Sequence, residues 1–304
     1  MSLHTAAYEN ANGPGDQRPT ASQIIQDDGL VGKMSDKVVL ITGVSSGIGL
    51  ETARALSLSG CRMILTARDI TKASAALGNI WNPERMDLVK LDLESFADME
   101  NELQFTTNHL SHFLLFHLLK PALLAAASPE FESRVIILAS SGHRRNGLND
   151  SDNYNFQKGC YNPWEAYAQS KTANIYTAIE IDRRYSRYGL RAASVHPGAI
   201  RTQLNRHLLP EDLQKLREDS GPSLMKIAKS PEQGAATTTW AAVMKDFSVI
   251  GGKYLADCSV AKNGPDDGDM MRADCVTHTY NAREAARLWN DSLKICQIDD
   301  VGED

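Results

Sequence analysis

Residues 37–60 read KVVLITGVSSGIGLETARALSLSG. The first seven, KVVLITG, form a short apolar run that ends at a glycine. GIGLETARALSLSG (47–60) then carries apolar residues at helical spacing, with Gly60 where a C-terminal cap belongs. A strand therefore feeds a helix through TGVSSGIG (42–49). At such a junction Gly43 permits a tight turn, Gly47 lets the backbone approach a pyrophosphate and Gly49 allows close helix packing. Ile48 completes the loop, Ser45 and Ser46 add neutral donors, and the helix N-terminus supplies free N–H groups and the positive end of its dipole.

Outward from this junction, strand and helix signals alternate. RMILTAR (62–68) and DLVKLDL (87–93) read as a second and third strand, followed by a helix from about Asn108 to Ala127. The strand RVIILAS (134–140), a helix from about Trp164 to Tyr185 and the strand LRAASVHPG (190–198) come next. This order predicts an α/β fold, a Rossmann-type doubly wound parallel sheet with helices on both faces. Pro210, Gly221 and Pro222 break up residues 201–229, which read as a substrate flap. Ser230-Pro231-Glu232-Gln233 is a capping box with proline at the first helical position, so a helix is expected through Trp240. GGKYLAD (251–257) suggests a last strand and residues 279–295 a terminal helix. The organisation expected is one domain, 35–304, behind a loose polar arm, 1–34, that carries Gly13, Pro14 and Gly15.

A hydrophobic content of 42% with 23% charged residues places the chain among ordinary globular proteins. The net charge of -6 gives no general attraction to phosphate backbones, so nucleic acid is not an expected partner. Five scattered cysteines without a CxxC pair fit a reducing, cytoplasmic setting and argue against a disulfide frame or zinc ribbon. HFLLFHLLKPALLAAA (112–127) contains His117, Lys120 and Pro121 and falls short of the roughly 20 apolar residues of a spanning helix. A buried helix and no membrane span are expected there. His109, His112 and His117 share that helix without a carboxylate or cysteine at matching positions, so no metal site is expected.

The second strand ends in Thr66-Ala67-Arg68, where a site selective for NAD would want a carboxylate for the ribose 2′-hydroxyl. The planar fork of Arg68 suits a 2′-phosphate instead, which points to NADP(H). In AYAQSK (166–171), Tyr167 and Lys171 are four positions apart and share a helix face. A phenol titrates near about pH 10, and a neighbouring ammonium lowers that value by stabilising the phenolate. Tyr167 is then able to exchange a proton with a substrate hydroxyl or carbonyl. Ser140 and Ser141 end their strand at the carboxyl edge where ligands sit in such sheets; Pro197-Gly198 end the following strand at the same edge, with Thr202 just beyond. His143 and His196 adjoin these positions and read as satisfied structural histidines, Cys160 and Cys258 as inert small hydrophobes. Trp164 reads equally as a pocket wall or as the anchor of its helix.

In chain order TGVSSGIG, LDL, TNHLSHF, RVIILASSGH, YAQSK and HPGAIRT, spread from about Lys37 to Tyr254, resemble the short-chain dehydrogenases/reductases. Within that family they are most similar to the branch holding retinol dehydrogenases and the WW-domain oxidoreductase. The resemblance implies Tyr167 as catalytic acid/base, Lys171 as the residue that binds the nicotinamide ribose, and Ser140 as the donor that holds the substrate oxygen, with Ser141 as the alternative. It implies Asn108 as support for a water in the proton relay, Ile48 and Asp92 as cofactor contacts at the pyrophosphate and adenine, and Ile200 and Thr202 as part of the segment that touches the nicotinamide amide. The activity implied is NADP(H)-dependent interconversion of a carbonyl and an alcohol on a lipophilic small molecule, in specialised (secondary) metabolism, by a chain that forms homo-oligomers as its relatives often do.

One interval departs from the family. Between the positions matched by Asp92 and Asn108 the family places a helix and a strand ending in a phrase such as NNAG, whereas only 16 positions separate the two residues here. A crossover of that kind needs on the order of 30 residues. The expected sheet therefore lacks its fourth strand and the helix before it. Three readings of function follow: an oxidoreductase, an inactive relative that binds nucleotide or a protein partner, and, of lesser weight, an epimerase or dehydratase using the same Tyr–Lys pair.

Overall fold

The glycine-ended run at the head of the alternation is a strand, β1 (Val38–Thr42), in the computed structural model of the chain, which describes residues 4–95, 101–200 and 224–299. Those residues divide into two compact units. Of the described residues, the first comprises 4–92, 197–200, 224–244 and 257–259; the second 93–95, 101–196, 245–256 and 260–299.

In the first unit β1 pairs in parallel with β2 (Arg62–Ala67), and β2 with β3 (Met86–Lys90). Helix α2 (Gly47–Ser57) leaves β1 through the glycine loop, and the chain turns at Gly60, whose φ of +80° only glycine adopts without strain. α3 (Ile70–Leu77), which the sequence reading does not anticipate, starts where the Asp69 carboxylate accepts the backbone N–H of Lys72. The loose arm is a further correction. Residues 4–34 include α1 (Ala21–Asp27), opened by a capping box in which Thr20 and Gln23 satisfy each other's backbone N–H groups. Ala21, Ile24 and Ile25 are buried, and α1 packs on α2 and on the helix Ala236–Val243. Burial of three apolar side chains, each worth on the order of 1–3 kcal/mol, holds the arm to its unit. The Ser230–Gln233 capping box forms as expected and opens Pro231–Gly234.

The second unit is built on β4 (Ser133–Leu138), β5 (Leu190–His196) and β6 (Tyr254–Ala256), with β4–β5 and β5–β6 parallel, and β7 (Ser259–Val260) follows β6 in the strand order. All seven residues of β5 are buried, as a strand covered on both faces should be. A short helix, Leu103–Phe105, runs through a π-turn at Thr106–Leu110 into α4 (Ser111–Ala126). α5 (Pro163–Tyr185) starts where the Asn162 side chain accepts the N–H groups of Trp164 and Glu165, with Pro163 in the first turn. The terminal helix α6 (Ala282–Ile295) packs on α5 and brings Trp289 edge-on to Phe113 at 5.0 Å.

The expectation of a buried helix needs correction. Only one of its faces is buried: Phe105, Leu110, Phe113 and Phe116 enter the core, while Leu118 is 70% exposed. With the turns before it the helix runs over the 24 residues Leu103–Ala126, long and apolar enough by length and composition alone to cross a membrane, a test that the core helix of a soluble protein also passes. Among the described residues no strand lies between β3 and β4, and the strands form two hydrogen-bonded sheets, β1-β2-β3 and β4-β5-β6-β7. Residues 96–100 in that interval lie outside the described ones, as do Thr202 and most of the stretch read as a flap, 201–223.

Candidate active site

In the second unit the chain leaves β4 through Ala139 and enters a tight turn at Ser141–Arg145, with Ser140 extended before it. The Ser140 hydroxyl accepts the N–H of Gly142 at 3.0 Å and is hydrogen-bonded to Tyr167. Ser141 is committed elsewhere: its N–H donates to His196 Nδ1 at 3.0 Å and its hydroxyl to the carbonyl of Met270 at 2.7 Å. Of the two serines left open by the sequence, Ser140 alone has its oxygen on the tyrosine. Gly142 makes that approach feasible, because a Cβ there would stand 2.8 Å from Tyr167 Cε1. His143 bonds through Nδ1 to the Ser140 carbonyl (2.8 Å) and through Nε2 to the Thr279 hydroxyl (3.0 Å), and burial pushes its pKa down to about 4. It is a neutral, structural histidine.

Tyr167 and Lys171 lie one turn apart on α5, with Lys171 Nζ 5.6 Å from the centre of the Tyr167 ring. The Lys171 ammonium and the Asn174 amide both donate to the Leu138 carbonyl at the end of β4, at 3.4 and 2.9 Å. The electrostatics differ from the sequence expectation. Burial pushes the Tyr167 phenol up, opposed only by the hydrogen bond with Ser140, and burial pulls Lys171 down to about 8. Desolvation of both groups in one half-buried place outweighs the effect of the ammonium on the phenol.

Asn108 sits in the π-turn ahead of α4, a wider turn of the kind often met at functional sites. Its amide donates to the Ser170 hydroxyl at 3.0 Å, and that hydroxyl donates to the Tyr167 carbonyl at 2.7 Å. Ser170 is a site residue that the sequence reading missed. The signal was its place beside Lys171 in AYAQSK. The structure thus gathers Ser140, Tyr167, Lys171 and Asn108 within one unit.

The remaining sequence-chosen residues belong to the first unit. Gly43 and Gly47 have φ of +76° and +64°, and the N–H groups of Gly43 and Val44 both donate to the Thr66 carbonyl near the end of β2. A Cβ on Gly49 would stand 2.5 Å from the Gly43 carbonyl oxygen, so the loop closes on the helix only with glycine there. Ser46, at the N-cap of α2, places no side-chain hydrogen bond on the first turn. A glycine-walled turn with its helix end uncapped by a side chain fits a pyrophosphate. Ser45 and Ile48 are half-buried in the loop, Arg68 is exposed just past β2, Asp92 is half-buried beyond β3, and Ile200 is half-buried after β5.

Of the cysteines singled out, Cys258 is buried with its thiol pushed up to about 11, whereas Cys160 is exposed and is no buried hydrophobe. Trp164 is half-buried at the start of α5.

Comparison with known proteins places the chain in a family. The family model "short chain dehydrogenase" matches residues 37–118. The chain is 38% identical to "Short-chain dehydrogenase/reductase prx1" of Penicillium roqueforti, over 97% of this chain and 95% of that one. It is 31% identical to human "Retinol dehydrogenase 13" over 86% of this chain and 85% of the relative. Among solved structures, a "putative uncharacterized protein from Mycobacterium Paratuberculosis" aligns with a TM-score of 0.61 at 26% identity, covering 86% of this chain and 93% of that one. The chain belongs to the short-chain dehydrogenase/reductase family, a family of oxidoreductases that use nicotinamide cofactors on carbonyl and alcohol groups. The match to the Penicillium protein runs over 328 positions, more than the 304 residues of the chain, so that relative carries residues with no counterpart here.

Proposed function

We propose that the chain is an NADP(H)-dependent oxidoreductase that interconverts a carbonyl and an alcohol on a lipophilic small molecule. The observation that carries this reading is the Ser140–Tyr167 hydrogen bond, with Lys171 one turn below the tyrosine and Asn108 linked to the same helix through Ser170. Bound to the chain, the nicotinamide supplies or accepts the hydride. In reduction Tyr167 gives its proton to the substrate oxygen; burial holds the phenol above its ordinary pKa, so it is protonated at neutral pH, and the hydrogen bond with Ser140 works in the opposite direction, easing the proton's release. Ser140 directs that oxygen toward the phenol. Lys171, anchored on the Leu138 carbonyl, holds the ribose hydroxyls, and Asn108 supports the water that resupplies the proton. In the first unit the 42–49 loop and the α2 N-terminus hold the pyrophosphate, Ile48 and Asp92 contact the cofactor, and Arg68 pairs with a 2′-phosphate, which favours NADP(H) over NAD(H).

The test is NADPH-dependent turnover on a panel of lipophilic aldehydes and ketones. Turnover lost in Tyr167→Phe supports the reading, and equal turnover in that variant sinks the mechanism.

A second reading has its own support. The short interval between Asp92 and Asn108, and a relative with residues this chain lacks, favour a sheet without its fourth strand. Positioning errors of about 1 Å can cost on the order of 100-fold in rate. In that case the chain binds nucleotide without turning substrate over, which saturable NADPH binding with no turnover on the panel would identify.

A further inference from the structure

The turn that follows β5 carries Gly198 and Ile200, and the family resemblance implies that it borders the nicotinamide. It is held from one side by Lys229. The Lys229 backbone N–H donates to the Ala199 carbonyl at 2.8 Å, and Ile200 and Lys229 form a parallel bridge. The Lys229 side chain lies across Gly198: a Cβ there would meet its Cδ, Cε and Nζ at 2.7–2.8 Å. Its ammonium, 3% exposed, ends on Asp257 Oδ1 at 2.7 Å.

Lys229 is fixed in turn by the N-terminal arm. Arg18 donates through Nη1 to the Ile227 carbonyl at 2.7 Å and through Nη2 to the carbonyls of Ala228 (2.5 Å) and Gly13 (3.0 Å). Its Nε donates to Asp16 at 2.8 Å, and the two side chains are 2% and 5% exposed. Gly13 N–H donates to the Lys226 carbonyl, and the Tyr8 ring lies 4.8 Å below the Lys229 ammonium. Gln233, the residue that closes the capping box with Ser230, accepts the N–H of Gly15 and donates to the Arg18 carbonyl.

Burying an arginine–carboxylate pair is costly, and apolar packing of the same volume often serves stability as well or better. What apolar packing does not provide is orientation of two successive carbonyls. We propose that Arg18 is a positioning residue for the nicotinamide end of the cofactor: by fixing the backbone of 227–229 it sets the place of the Gly198–Ile200 turn, so the N-terminal arm is part of the cofactor site. This rests on the reading that Ile200 borders the nicotinamide.

The experiment compares dissociation constants of NADPH and of 2′-phospho-ADP-ribose, which lacks the nicotinamide, for the full chain and for Arg18→Met and Arg18→Lys. The expected result is tighter binding of NADPH than of the fragment by the unaltered chain. Arg18→Met then weakens NADPH at least about fivefold while the fragment changes less than about twofold, and Arg18→Lys recovers part of the loss. Equal weakening of both ligands, or of neither, overturns the inference and leaves the cofactor reading standing. Equal affinities in the unaltered chain also overturn the inference alone; binding of neither ligand overturns it together with the cofactor reading. Should Arg18→Met fail to fold, Asp257→Asn, which frees the Lys229 ammonium, decides by the same criterion.

Discussion

The turns after β4 and β5 leave neighbouring parallel strands, and the chain secures them by different means. The first, Ser140–Arg145, is tied within itself by Gly142 N–H to Ser140 and His143 to the Ser140 carbonyl, and to later residues of its own unit by Ser141 to the Met270 carbonyl, His143 to Thr279 and Arg144 to the Asp269 and Asp274 carbonyls. The second, Gly198–Ile200, is tied to Lys229, and Lys229 to an arm some two hundred residues earlier in the chain. Both turns therefore depend on remote ties, the first on residues that follow it in the chain and the second on an arm that precedes it.

The sharpest way to break the comparison is at the first turn. Tyr167→Phe is expected to lower turnover by about 10²–10⁴-fold without loss of folding, measured by steady-state rate and melting temperature. Next in size is a paired substitution. Ser140→Ala is expected to lower kcat by about 10²-fold, as loss of one aimed donor does. Ser141→Ala, which removes a hydrogen bond to the Met270 carbonyl, is expected to leave kcat nearly unchanged and to cost about 1 kcal/mol of stability. Similar kcat losses in the two would erase the distinction between the serines.

A pH profile tests the lysine. With Lys171 pulled down to about 8 by burial, its charged form is present below that value and lost above it. kcat/KM for the cofactor, which reports groups of the free enzyme, is expected to fall as pH rises through about 8. A profile flat across that value contradicts the assignment. The smallest effect expected is at the arm: Thr20→Ala removes the cap of α1 and should cost about 1 kcal/mol by denaturant unfolding. No change there would mean that α1 contributes little to holding the arm.

The first turn was largely legible in the sequence. RVIILASS and AYAQSK have periodicity, capping and a four-residue Tyr–Lys spacing that place their residues through local physics alone. Which serine faces the tyrosine was not legible, because it depends on what Met270 and His196 offer from elsewhere in the unit. The direction of the Tyr167 pKa was misread for a related reason: spacing shows that an ammonium is near but not how much water both groups lose. The arm was the largest omission. Its Thr20…Gln23 pair is the same capping signal that was read correctly at Ser230…Gln233, and Ile24-Ile25 follow it. Gly13, Pro14 and Gly15 suggest looseness, whereas Arg18 and Gln233 join that part of the arm to residues more than two hundred positions away, a pairing that no local pattern announces.

The most direct measurement is a thermal-shift titration of the purified chain with NADPH and, separately, NADH. A ligand that binds only the folded state stabilises it by about 2.7 kcal/mol at 100 times its dissociation constant. A saturable upward shift with NADPH that exceeds the shift with NADH is the result expected if the glycine loop and Arg68 hold the cofactor. A cooperative melt that neither nucleotide moves would contradict the account.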